Sequence, residues 1–207
     1  MALARIVVLI SGRGSNLEAL LETEARGELA GTIIAVISNR ASAHGLTLAN
    51  ERGVATAHVD HKAFASREAF DAALAAELDR HAPDLVVLAG FMRVLGAAFV
   101  QRYAGRMINI HPSLLPAYAG LHTHRRALAD EVATHGCTVH FVTPDVDGGP
   151  VIVQGHVPVL ADDDEARLAA RVLEAEHRIL PRAVNLFCEG RLRIADGRVQ
   201  IGPPPPG

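Results

Sequence analysis

Asn109 and His111 stand two residues apart within residues 107–116, Met-Ile-Asn-Ile-His-Pro-Ser-Leu-Leu-Pro. An extended chain points residues i and i+2 to one face, so these two polar side chains project together while Ile108 and Ile110 project to the other. Pro112 removes a backbone donor and biases His111 toward extended geometry, which stops the strand there. An amide supplies a neutral donor, and an imidazole is an acid or base near neutral pH. Paired at the C-terminal edge of a buried strand, they suit a reaction that passes through an oxyanion. A capped strand end with a satisfied histidine is the plainer alternative. Two polar groups on one face, followed by a rigid Pro-Ser-Leu-Leu-Pro loop, favour the chemical reading.

A second constellation opens the chain. Residues 11–16, Ser-Gly-Arg-Gly-Ser-Asn, follow a β-branched run and precede a helix with Leu17, Leu20 and Leu21 on one face. Exposed N–H groups at a helix start and the helix dipole both favour an anion, and glycine lets the backbone approach it. The Gly-Lys-Ser/Thr of a P-loop is missing. A dinucleotide fingerprint would need a small residue where Leu17 stands and an acid after the second strand, where Asn39 and Arg40 follow instead. A single phosphate monoester fits better, with a plain strand–helix turn as the alternative. Residues 90–95, Gly-Phe-Met-Arg-Val-Leu, form an apolar loop after another strand, on which a flat ring could lie against Met92, Val94 and Leu95. The same loop could equally pack on its neighbouring helix. Asp145 and Asp147 sit in a turn-rich segment and are accounted for by turn shaping alone. His122 and His124 lack a companion ligand at metal spacing, so polar caps and supporting contacts are expected of them, with no metal. Glu176 is either a substrate contact or a member of a surface ion pair.

The elements that must carry these groups alternate. Strands are expected at 5–11, 32–38, 54–59, 85–89 and from 107, and helices after residue 16 and at 43–52, 66–81 and 96–103, with Ser66 as an N-cap. A helix over 124–134 leads to strands at 137–143 and 151–157 that add to the sheet in antiparallel fashion. A long helix over 164–188 contains Pro181, which should kink or divide it near Ile179. Strands at 191–194 and 198–201 close a hairpin through Asp196-Gly197. The fold class is therefore α/β: a Rossmann-like, mostly parallel twisted sheet flanked by helices, with an antiparallel C-terminal addition.

Composition narrows the function classes. The 207 residues fit one domain over 1–207, with a proline-rich tail at 202–207 that is expected to be disordered. A net charge of -3 gives no basic footprint for nucleic acid. The apolar run after Arg5 is short and meets a glycine loop, so it reads as a buried strand rather than a signal peptide, and no segment has the apolar length of a membrane span. Cys137 and Cys188 form neither a metal spacing nor a disulfide framework, which fits a reduced, cytoplasmic protein.

Five motifs stand in order: residues 11–16, 88–93 (Leu-Ala-Gly-Phe-Met-Arg), 109–116, 120–124 (Gly-Leu-His-Thr-His) and 147–151 (Asp-Gly-Gly-Pro-Val). Together they closely resemble the phosphoribosylglycinamide formyltransferase family, from residue 6 to about 194; the Asn-x-His-Pro-Ser-Leu-Leu-Pro core alone resembles the wider folate-dependent formyltransferase superfamily. The resemblance implies transfer of the formyl group of 10-formyltetrahydrofolate, a co-substrate, to the amino group of glycinamide ribonucleotide in purine biosynthesis. It implies Asn109, His111 and Asp147 as catalytic, Gly14, Ser15 and Asn16 at the phosphate, and Glu176 at the ribose. It implies a folate site from Arg67, Met92, Arg93, Val94, Leu95, Asn109, Thr143, Asp145 and Asp147. Small molecules are then the partners, without nucleic acid or membrane, for a monomer or homodimer. Ala119 stands where the family often has proline, and Leu173 where some members place a polar residue. Three rival readings are a formyltetrahydrofolate hydrolase, a methionyl-tRNA formyltransferase and a non-catalytic nucleotide-phosphate binding module. The first is expected to carry an N-terminal regulatory domain, and the second a further C-terminal domain and a basic surface. The third leaves the polar pair at 109 and 111 unexplained.

Overall fold

The computed structural model describes residues 3–204; residues 205–207 of the expected proline-rich tail lie outside the described residues. In chain order the elements are β1 Ala4–Ile10, α1 Ser15–Ala25, β2 Gly31–Ser38, α2 His44–Glu51, β3 Ala55–His58, a 3₁₀ turn His61–Ala63, α3 Arg67–His81 and β4 Leu85–Leu88. Then follow α4 Ala97–Arg102, β5 Met107–His111, α5 Thr123–Ala129, β6 Thr134–Phe141, β7 Val151–Pro158, α6 Glu165–Cys188, β8 Leu192–Ala195 and β9 Arg198–Ile201. Seven strands form one sheet in the order β3-β2-β1-β4-β5-β6-β7, and β8 and β9 form a separate pair. Pairing is parallel from β3 through β5 and antiparallel for β5–β6 and β6–β7.

Two buried clusters explain the layers. Ile6, Val8 and Ile10 of β1 face Leu17 and Leu20 of α1 and Val172 and Ile179 of α6 within one cluster. Val7 and Leu9 face the other way, into a cluster with Phe70, Leu74 and Leu78 of α3 and Phe99 and Tyr103 of α4. A central parallel strand covered on both faces needs no polar side, which is why β1 reads as an unbroken apolar run. Each such buried side chain contributes about 1.5–3 kcal/mol. The chain leaves β1 toward β2 and β3, then returns to place β4 on the opposite flank of β1. At that switch point the loops leaving the carboxyl ends of adjacent strands diverge and open a crevice. Those loops are residues 11–14 and 89–96.

Three expectations are corrected. The helix expected over 124–134 ends at Ala129, because Glu131 takes a left-handed conformation at φ 50°. Glu131 N–H donates to Leu128 O and Val132 N–H to Ala127 O, a helix-terminating motif that usually announces itself with glycine. The following strand consequently starts three residues earlier than expected, at Thr134, and ends at Phe141. Pro181 does not divide α6, which runs unbroken from Glu165 to Cys188. Proline forfeits one helical hydrogen bond, whereas α6 buries a stripe running from Leu168 through Ile179 to Val184 that spans the proline. Packing outweighs that loss. Ser66 caps α3 as expected, its hydroxyl accepting from Ala69 N–H at 3.1 Å.

Candidate active site

β5 lies between β4 and β6, with Asn109 directly opposite His140 and His111 opposite Thr138. Asn109 Nδ2 is 3.2 Å from His140 Nε2, and His140 Nδ1 is 2.9 Å from the carbonyl oxygen of Phe141. A carbonyl only accepts, so His140 carries its proton on Nδ1 and receives the Asn109 amide hydrogen at Nε2. Burial pushes the His140 pKa down, opposed by the Phe141 carbonyl and the Asp147 charge, so the ring is neutral near pH 7. The histidine thereby sets which way the Asn109 amide points. One hydrogen of that amide is spent on His140, and the other has no protein acceptor among the described residues.

His111 is buried, with Nε2 donating to the backbone carbonyl of Tyr118 at 3.1 Å and Nδ1 lying 3.4 Å from Asp147 Oδ2. Both ring nitrogens therefore face acceptors. The contact to Asp147 is long for a hydrogen bond but within ion-pair reach. Asp147 Oδ2 also accepts from Gly120 N–H at 2.8 Å, and Oδ1 is 3.8 Å from His140 Nε2. The turn that carries Asp147 closes with Gly148 N–H donating to Asp145 O at 3.1 Å, and Asp147 itself sits at φ 53°. Any Cβ at Gly149 would fall 1.7 Å from the Phe141 carbonyl oxygen, so glycine alone lets this loop press against the end of β6. Asp147 therefore shapes the turn and faces His111 at once.

The loop over residues 11–14 leads into α1 through Gly14, at φ 82°, and among the described residues no side chain caps the helix start. The first-turn N–H groups are left for another acceptor. A Cβ at Gly14 would meet the Cα of Gly45 at 2.7 Å, so this glycine also permits α1 and α2 to approach. Ser15 and Asn16 begin α1, and Asn16 Nδ2 donates to Glu176 Oε2 at 2.6 Å. The surface ion-pair reading of Glu176 is corrected: the residue is buried on α6, and burial raises its carboxyl pKa while the Asn16 bond works against that. Asn16 Oδ1 is buried without a partner among the described residues.

In the 90–95 loop, Met92 and Val94 are 59% and 56% exposed, whereas Phe91 and Leu95 are buried in the cluster around α3 and α4. The Leu95 side chain, expected to face a flat ring, is instead packed in that core cluster. The Arg93 guanidinium lies 5.8 Å from the Phe70 ring centroid, and its buried Nε has no partner among the described residues. Arg67 opens α3 with a half-exposed side chain 3.7 Å from Glu68. Thr143 Oγ1 donates to Asp145 O at 3.3 Å, and Asp145 turns its own side chain to solvent. The fold thus brings Asn109, His111 and Asp147 into mutual contact range through His140, and joins Asn16 to Glu176. Asp145 joins neither group.

Sequence reasoning passed over His140, read only as a member of the 137–143 strand, and His135, which fell between the expected helix and that strand. His124 Nδ1 is 3.2 Å from His135 Nε2, burial drives the His135 pKa down to about 4, and both rings sit near His111. His140 alternates with Thr138 along that strand, but only the register against β5 sets His140 opposite Asn109. His122 occupies the N-cap position of α5 without a side-chain cap bond.

A family described as formyl transferase matches residues 4–184. The chain is 54% identical over 189 residues to phosphoribosylglycinamide formyltransferase of Escherichia coli K12, covering 91% of this chain and 89% of that protein. Glycinamide ribonucleotide transformylase 1 from Symbiobacterium toebii superposes with a TM-score of 0.95 at 50% identity, covering 97% of this chain and 95% of that one. A formyltetrahydrofolate deformylase from Pseudomonas syringae pv. tomato superposes with a TM-score of 0.89 at 29% identity, covering 97% of this chain and 66% of that one.

Proposed function

The chain belongs to the formyl transferase family, and from that membership we propose that it transfers the formyl group of 10-formyltetrahydrofolate to the amino group of glycinamide ribonucleotide in purine biosynthesis. The observation that carries this reading is the grouping of an Asn109 amide with an uncommitted hydrogen, a buried His111 and the Asp147 carboxylate 3.4 Å from it. Residues 1–207 act as one domain on small-molecule substrates in the cytoplasm, with neither nucleic acid nor membrane as a partner. Among the described residues no helix is long and apolar enough to cross a membrane.

The co-substrate supplies an activated formyl carbon. A C–N bond forms from the incoming amine, the bond from the formyl carbon to the folate nitrogen breaks, and the surplus proton of the amine ends on that nitrogen. Asn109 donates its free hydrogen to the oxygen that becomes negative; one such donor is worth about 10²- to 10³-fold in kcat. His111 adds positive charge beside that oxygen while Tyr118 O and Asp147 fix its ring. Asp147, 3.4 Å from the His111 ring, holds that ring in place and passes the proton through a water between the two nitrogens. Gly14, Ser15 and Asn16 hold the substrate phosphate at the α1 N-terminus and Glu176 the ribose, while Met92 and Val94 take the flat pterin, with Arg67 and Arg93 offering charge to the carboxylate tail. The exposed apolar surface of Met92 and Val94 fits a planar ring better than it fits solvent.

Incubation with 10-formyltetrahydrofolate, with and without glycinamide ribonucleotide, tests the proposal. Folate product should appear only with the ribonucleotide present. Formate released in its absence would move the protein to the deformylase reaction, and ribonucleotide binding without turnover would make it a binding module.

A further inference from the structure

We infer that Ser11 and Asp71 are positioning residues that set the shape of the 89–96 loop from outside it, and through that shape its grip on folate. The inference rests on the proposed reading of this loop as the folate site. The loop joins β4 to α4 without regular structure, so no ladder fixes its path. Two buried side chains do so instead. Met92 N–H donates to Ser11 Oγ at 2.8 Å, and Gly96 N–H donates to Asp71 Oδ2 at 2.7 Å. Between those two fastenings lie the exposed Met92 and Val94 side chains, and beside them the buried Phe91 and Leu95.

Ser11 is fixed in turn. Its hydroxyl donates to Asn39 Oδ1 at 2.6 Å, and Asn39 Nδ2 lies 3.2 Å from His61 Nδ1. With its hydrogen committed to Asn39, the oxygen presents only lone pairs to Met92 N–H. The Ser11 backbone N–H also donates to Gly90 O at 3.1 Å. Ser11 therefore clamps the loop start while heading the anion loop on its other side.

Asp71 is harder to explain as structure alone. It lies on the buried face of α3, its Oδ1 has no partner among the described residues, and Arg67 and Arg93 both act on its charge. A buried carboxylate with an unpaired oxygen weakens a fold relative to an apolar residue of the same size. What it secures is the N–H of Gly96, the residue that precedes α4 and has no side chain of its own to cap it. A Cβ at Gly96 would lie 2.8 Å from Asp71 Oδ2, so the contact is close-fitting on both sides.

The two fastenings differ in reach, and that difference is the test. Asp71→Ala should raise KM for 10-formyltetrahydrofolate about tenfold or more while leaving kcat and the ribonucleotide KM within about twofold. Asp71→Asn retains an acceptor for Gly96 N–H and should return the folate KM to near wild type. Ser11→Ala should raise KM for both substrates. Amide exchange should quicken at Gly96 in the Asp71→Ala protein and at Met92 in the Ser11→Ala protein, with the core amides unchanged. An unchanged folate KM in Asp71→Ala, or equal losses for both substrates, would overturn the inference. Should Asp71→Ala not fold, Asp71→Asn decides alone: a tenfold rise in its folate KM overturns the role as acceptor. A wild-type protein that binds folate in calorimetry without transferring its formyl group refutes the proposed reaction, and the same variants then read the inference as folate affinity. A wild-type protein with no affinity for folate overturns both.

Discussion

Replacing Asp147 by asparagine separates turn chemistry from catalysis. At φ 53° the backbone is left-handed, a conformation asparagine adopts at least as readily as aspartate. The amide also matches the carboxylate in size and keeps an acceptor for Gly120 N–H, now 2.8 Å from Oδ2. The turn and the melting temperature should therefore survive. What disappears is a negative charge 3.4 Å from His111 Nδ1, on a side chain about one-tenth exposed. At an effective dielectric constant of about 20, a charge pair at that separation attracts by about 5 kcal/mol, part of which desolvation cancels. Loss of a general acid–base group costs about 10²- to 10⁴-fold, or about 3–5 kcal/mol in the barrier. These two magnitudes agree that kcat should fall at least about 100-fold in steady-state assays of folate product at saturating substrates, with both KM values changing far less. Asp147→Asn combined with His111→Asn should be much less than additively worse, since the two side chains act as one unit. A folded Asp147→Asn enzyme with near wild-type kcat would refute the reasoning, return Asp147 to the turn and leave Asn109 and His111 to carry the chemistry.

Three further outcomes follow from burial and charge. Burial holds the His135 pKa near 4, so its neutral form favours the fold: that stability is intact above about pH 6.5 and is lost as pH falls toward 4. The loss should reach about 3 kcal/mol in urea unfolding and be reduced by that amount in His135→Gln, because a glutamine there takes up no proton. Glu176 shifts the other way, so its contribution is intact below pH 4.5 and is lost as pH rises through its raised value. Glu176→Gln, which can still accept from Asn16, should melt above wild type at pH 8 with the gap closing toward pH 4.5, while the ribonucleotide KM rises; an unchanged KM removes Glu176 from the site. Met92→Asp should weaken folate binding with ribonucleotide binding nearly intact, since it puts a charge where an apolar ring would lie; unchanged folate affinity in calorimetry would take the loop out of the site.

Local physics alone determined much of this protein. The two-residue repeat of a strand put Asn109 and His111 on one face, and Pro112 ended that strand. Ser66 marked the start of α3, the glycines of 11–14 marked the turn into α1, and Asp196-Gly197 marked a hairpin. These are short-range effects of side-chain period, capping and allowed φ, and they need no partner. The end of α5 was not legible, because Glu131 adopts a glycine conformation without being glycine, held there by the two terminating hydrogen bonds. The continuity of α6 across Pro181 was not legible either, since a local rule was outweighed by a buried stripe that only the packed sheet supplies. The tertiary structure alone decided that His140 stands opposite Asn109, that Glu176 meets Asn16 across 160 positions of sequence, and that Ser11 and Asp71 fasten one loop. Each of those pairings depends on the register and approach of elements far apart in the chain. Register is set where whole apolar faces lock together, and no window of residues contains both faces.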